Sequence, residues 1–153
     1  MLYLVRHAKA GSRNDWEGDD RDRPLTAGGR RQAEALATRL GSLAKGELVS
    51  SPYVRCLQTL QPLAAALGAT VRADERLAED MGFEGALALM ADLPDGSVMC
   101  SHGDVIPDTM GALERRGCVL GGSPDWRKAS VWVLARDAGG TITRAASWPP
   151  PDA

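Results

Sequence analysis

The chain has 153 residues, 44% of them hydrophobic and 25% charged, with a formal net charge of −2. That profile fits one globular domain with a substantial core, residues 1–153, and gives no basis for nucleic-acid or membrane binding through bulk charge. Cys56, Cys100 and Cys118 are widely spaced without a C-x-x-C pair, and the apolar start ends at Arg6, so a disulfide framework, a zinc site, a signal-peptide core and a membrane span are all disfavoured and a cytoplasmic setting is expected.

Met1-Leu2-Tyr3-Leu4-Val5 is a continuous apolar run, the mark of a strand buried in a parallel sheet, and Arg6-His7 stands at its carboxyl end. Ser12 to Arg23 mixes both charge signs around Trp16 and is expected to be a solvated loop; Asp19, Asp20 and Asp22 lack EF-hand spacing. Thr26 is placed to cap a helix with Ala33, Leu36, Ala37, Leu40 and Leu43 on its apolar face. Glu47–Ser50 is a second strand. Ser51-Pro52 reads as the N-cap and first-turn proline of a helix carrying Val54, Leu57, Leu60, Leu63, Ala64 and Leu67, kinked at Pro62 and ended at Gly68.

Ala69–Arg72 is expected as an edge strand and Glu84–Leu93 as a weak helix. Ser97–Ser101 is another buried strand, followed at once by His102-Gly103-Asp104 and a helix to Arg116 that tolerates Pro107 in its first turn. Gly117–Lys128 reads as a loop, Ser130–Ala135 and Thr141–Ala145 as a closing hairpin, and Trp148-Pro149-Pro150-Pro151 as a stiff tail. Strands alternating with helices predict an α/β fold, a three-layer α/β/α sandwich whose sheet is mostly parallel with a C-terminal hairpin.

In open α/β sheets ligands bind beyond the carboxyl ends of the strands. If the strands ending at Arg6-His7, Ser50 and Ser101 are neighbours, then Arg6, His7, Arg55 and His102 converge on one sheet edge, with Arg55 in the first turn of a helix. Nothing in that foursome is acidic, and two guanidinium forks match the oxygens of a phosphoryl group. A metal shared by the two histidines is electrostatically poor beside two arginines.

Arg6-His7-Ala8, Leu25-Thr26 with Gly29 and Gln32-Ala33, Ser51-Pro52 with Arg55, Cys56, Gln58 and Thr59, and Ser101-His102-Gly103 together resemble the histidine phosphatase superfamily, which includes the phosphoglycerate mutases. The short stretch between Leu77 and Ser97 is similar to the small SixA-type branch. Gly18–Thr26, His102–Asp108 and Lys128–Leu134 also look like the phosphatase domain fused to MutT-type Nudix hydrolases.

The resemblance implies a metal-independent phosphatase with no cofactor. In it His7 is the nucleophile that becomes phosphohistidine, and Arg6, Arg55 and His102 hold the phosphoryl oxygens. Glu79 is the general acid by the family pattern, with Glu84 and Asp104 as lesser candidates. Lys9, by its position, is expected at the pocket mouth as a further phosphate contact. The implied substrate is a nucleotide or other small phosphate ester, or alternatively a phosphoprotein histidine. A phosphate-binding regulatory module without turnover is the reading from another class, and a mutase is disfavoured for want of an enclosed site. The family usually has Gly where Ala8 stands, so an ordinary backbone is expected there.

Overall fold

The computed structural model describes residues 1–152. Seven strands form one sheet: β1 (Leu2–Arg6), β2 (Leu48–Ser50), β3 (Val71–Ala73), β4 (Val98–Ser101), β5 (Val119–Gly121), β6 (Val131–Arg136) and β7 (Ile142–Trp148). Their order is β3-β2-β4-β1-β6-β7-β5. The ladders β1/β4, β2/β4, β2/β3 and β5/β7 are parallel, whereas β1/β6 and β6/β7 are antiparallel. The expected α/β sandwich with a closing hairpin is therefore what forms.

Pleating splits the central strands between two cores. Leu2, Leu4, Val49, Met99 and Trp132 face one side, where α3 (Glu84–Asp92) and α4 (Val105–Arg115) cover them. Tyr3, Val5, Leu48, Val98, Cys100 and Val131 face the other, covered by α1 (Ala27–Leu40) and α2 (Val54–Leu67). With apolar side chains on both faces, β1, β2 and β4 read as unbroken hydrophobic runs.

Three expectations need correction. The Gly117–Lys128 loop contains β5, an edge strand that is largely exposed and so lacks the apolar alternation that marks strands. The N-cap of α2 is Tyr53, not Ser51, and Pro52 precedes the helix; the Ser51 hydroxyl accepts from Tyr53 N–H at 3.3 Å and meets His102 Nε2 at 2.8 Å. Trp148 ends β7 and packs on Tyr3 at a ring separation of 6.2 Å instead of beginning the tail. Pro62 lies inside α2 and Gly68 ends that helix, both where expected.

Candidate active site

The order β2-β4-β1 makes the three cargo-bearing strands adjacent, and the parallel register pairs Arg6 with Ser101. Their carboxyl ends are tied together beyond the ladder: His7 N–H donates to the Ser101 carbonyl (3.1 Å) and Ser51 N–H to the Cys100 carbonyl (2.9 Å). There the chain forms a pocket of about 330 Å³ lined by Arg6, His7, Arg13, Arg23, Arg55, Glu79, His102, Gly103, Asp104 and Lys128. All four residues of the expected foursome are in it, and so are Glu79 and Asp104. Glu84, which opens α3, is not among its lining residues, and neither is Lys9, which lines an adjoining cleft.

His7 is buried, and its Nδ1 lies 2.8 Å from the Ala8 carbonyl oxygen. That oxygen can only accept, so Nδ1 carries the proton and Nε2 keeps a free lone pair. Burial drives the imidazole pKa down to about 3; the Ala8 bond opposes the shift, and His102, Arg55 and Arg6 add to it. The ring is therefore neutral at ordinary pH. Ala8 has no left-handed backbone, its methyl is packed in the core, and its N–H donates to Thr59 Oγ1 at 3.0 Å.

The His102 ring packs edge-on to His7 at 5.6 Å and to Tyr53 at 4.6 Å. Its Nε2 meets the Ser51 hydroxyl at 2.8 Å, while its Nδ1 is buried without a partner. Arg6 Nε and Arg55 Nε are also buried and unpartnered, so three of the four such atoms among the described residues belong to this pocket. Buried donors without partners are costly unless a ligand supplies acceptors. Gly103 lets the Arg6 guanidinium lie flat on the backbone, since a Cβ there would meet Arg6 Cζ at 2.7 Å.

The loop expected to be solvated is largely exposed, and through Asp20 and Arg23 it also supports the site. Asp20, in a 3-10 turn capped by Asp19, accepts from Arg55 through its carbonyl (2.8 Å) and its carboxylate (3.1 Å), and from Arg23 Nε at 2.9 Å. Burial alone would raise the Asp20 pKa, but Arg23 and Arg55 outweigh it and hold it low. The carboxylate of Glu79 lies between Arg13 (2.8 Å) and Arg55 (3.5 Å). The loop that carries it is pinned where Ser101 Oγ donates to the Leu77 carbonyl at 2.6 Å.

Arg13, Arg23 and Lys128 escape sequence reasoning. They sit on loops without periodicity, and only folding brings them to the strand ends. Five cations thus face two carboxylates around the pocket. Among the described residues no group of three or more His, Cys, Asp or Glu side chains is arranged to hold a metal ion. Among the described residues no helix is long and apolar enough to cross a membrane.

Over 157 aligned residues the chain is 36% identical to an 8-oxo-(d)GTP phosphatase from Mycolicibacterium smegmatis. The match takes in 99% of this chain but 48% of that relative, so the chain spans about half its length. Among solved structures, SixA from Nakamurella multipartitia superimposes with a TM-score of 0.68 at 30% identity, covering 97% of this chain and 95% of that one. SixA from Agrobacterium tumefaciens gives 0.69 at 25% identity over 88% and 90%. The sequence model of the histidine phosphatase superfamily, branch 1, matches residues 2–88, the part holding Arg6-His7, Arg55 and Glu79, and the chain belongs to that family.

Proposed function

We propose that the protein is a metal-independent phosphatase that works through a phosphohistidine on His7. The observation that carries this reading is the neutral imidazole, its Nδ1 proton held by the Ala8 carbonyl and its Nε2 free, set in a pocket rich in cations. Nε2 attacks phosphorus in line, while Arg6, Arg55 and His102 hold the equatorial oxygens and their developing charge. The guanidinium groups supply the neutralisation that a divalent ion gives elsewhere. Glu79 protonates an alkoxide leaving group, and water then hydrolyses the phosphohistidine. The likeness to an 8-oxo-(d)GTP phosphatase supports a nucleotide or other small phosphate ester as substrate, and the likeness to SixA supports a phosphoprotein histidine as the second reading. Three buried, free cysteines fit a reducing, cytoplasmic setting.

Hydrolysis of p-nitrophenyl phosphate should proceed in EDTA and vanish in His7→Ala, with acid-labile, alkali-stable phosphate trapped on the wild type and none on that variant. Turnover that survives His7→Ala, or stops with EDTA, overturns the mechanism; tight phosphate binding without turnover would instead favour a regulatory module. Glu79→Gln should slow glycerol phosphate hydrolysis roughly 100-fold, within the usual range for general acids, and leave the p-nitrophenyl ester much less affected. Equal losses would remove Glu79 from the acid's role.

A further inference from the structure

Beside the His7 pocket lies a larger cleft of about 630 Å³, lined by Lys9, Gly28, Arg31, Gln32, Arg127 and the tail residues Pro150, Pro151 and Asp152. Arg6 and Lys128 line both cavities, so the cleft begins where the pocket ends. Its charge is lopsided: among the described residues five cations and one carboxylate, that of Asp152, line it. Among the described residues Arg6, Lys9, Arg31 and Lys128 form no ion pair with any side-chain carboxylate, while Arg127 is gripped by Asp125 at 2.6 Å. Lys128 reports the uncompensated field. Burial lowers its pKa first, and Arg6, Arg23, Arg55 and Lys9 lower it further.

The cleft is also built on fixed backbone. Gln32 Oε1 accepts from Lys9 N–H at 3.0 Å, and Arg31 lies over Gly28, where its Nη2 would be 3.6 Å from a Cβ. A site for a lone phosphoryl group does not need Lys9, Arg31 or Arg127, because Arg6, Arg55 and His102 already line the His7 pocket.

We propose that this cleft is a second anion subsite, and that the substrate is a phosphoanhydride whose terminal phosphoryl group meets His7 while the next phosphate lies among Lys9, Arg31, Arg127 and Lys128. The inference rests on the phosphatase reading above and narrows its substrate class to one such as nucleoside di- or triphosphates. The chemistry balances simply. His7 Nε2 forms a P–N bond as the terminal P–O bond breaks, and the electron pair stays on the bridging oxygen, which leaves as a phosphate oxygen. Water then attacks phosphorus, the P–N pair returns to Nε2, and the water's proton goes to solvent as inorganic phosphate departs. A phosphate leaving group needs no strong acid, which suits a Glu79 carboxylate already engaged by Arg13 and Arg55.

The test is competition against p-nitrophenyl phosphate by methylenediphosphonate and by methylphosphonate. The diphosphonate should bind the wild type at least ~10-fold more tightly, the worth of one or two charge-assisted contacts, and the margin should collapse in the double variant Arg31→Glu/Arg127→Glu. The ratio of kcat/KM for ADP to that for p-nitrophenyl phosphate should fall by a similar factor. Equal inhibition by the two phosphonates, or a margin and a ratio that survive in the double variant, would overturn the subsite and leave the phosphatase standing. If the wild type hydrolyses no ester, the phosphatase reading fails, and calorimetric titration with the two phosphonates still decides the subsite.

Discussion

His7 owes its neutral form to two opposed neighbours, a buried surround that refuses charge and a carbonyl that accepts a hydrogen bond from one chosen nitrogen. An imidazole with a folded pKa of about 3 and an ordinary value of 6.5 links folding to pH. Between those values the unfolded chain binds a proton that the folded chain refuses, so stability falls as pH falls, by about 1.4 kcal/mol per pH unit for this one group. Urea denaturation of the wild type between pH 6 and 4.5 should therefore lose stability more steeply than that of His7→Gln; parallel slopes would mean the ring is not held neutral. Trapping of phosphate on His7 should persist at pH 5, where an unperturbed imidazole is mostly protonated. At this scale Arg6, His7, Arg55 and His102 were legible because each follows or flanks an apolar strand. Arg13, Arg23, Asp20 and Lys128 were not, because nothing local marks a loop residue that folding will carry to a distant strand end. Lys9 shows the converse: sequence position places it near His7 but cannot tell which of two adjoining cavities it lines.

The residues of the family pattern that do not line the pocket turn out to brace the elements around it. Thr26 Oγ1 caps α1 by accepting from Gly29 N–H at 3.0 Å, Gln58 Oε1 accepts from Leu25 N–H at 2.8 Å, and Thr59 accepts from Ala8 N–H. Gly29 is needed for a different reason: a Cβ there would overlap the Lys9 carbonyl oxygen, so α1 and the segment after β1 touch backbone to backbone. Gly29→Ala should cost about 1–3 kcal/mol of stability in urea denaturation, the usual penalty of overpacking, and depress activity by shifting the His7–Lys9 backbone. Gly28→Ala is the control, since a Cβ there meets nothing closer than 3.6 Å and should be neutral or stabilising by up to ~1 kcal/mol. Equal effects of the two would refute the close contact. The helices and the buried strands were readable from periodicity, while β5 and the N-cap of α2 were not. β5 is recruited by its pairing with β7, and the Ser51 hydroxyl is shared between the Tyr53 N–H and a histidine 51 residues away.

Across the whole molecule a net charge of −2 coexists with a strand-end face where five cations surround the pocket and five line the adjoining cleft, Arg6 and Lys128 being common to both. The bulk figure says nothing of this segregation, which is why composition gave no basis for nucleic-acid or membrane binding and was silent on a local cluster of cations. Such a face would steer a dianionic phosphate ester in a salt-dependent way. Raising NaCl from about 0.02 to 0.5 M should lower kcat/KM for p-nitrophenyl phosphate several-fold while kcat changes little, because the Debye length shrinks from over 20 Å to about 4 Å. A salt-independent kcat/KM would show that the cations are locally neutralised. The layer order and the parallel centre of the sheet were foreseeable from strands alternating with helices, whereas the position of β6 between β1 and β7 depends on a pairing that no local pattern encodes.

The parallel pairing of Arg6 with Ser101 makes the site all-or-none. Side chains alternate faces along a strand, so slipping β1 by one residue against β4 would send His7 to the opposite side of the sheet from His102. No half-formed centre can exist with one histidine in place and the other a little out of reach. During refolding, phosphorylation of His7 should therefore return as a single late event, in step with protection of the β1 and β4 amides from hydrogen exchange and well after helical circular dichroism has recovered. Enzymatic turnover becomes a clock for strand registry, reading one ladder in the middle of the protein and blind to everything that folds before it.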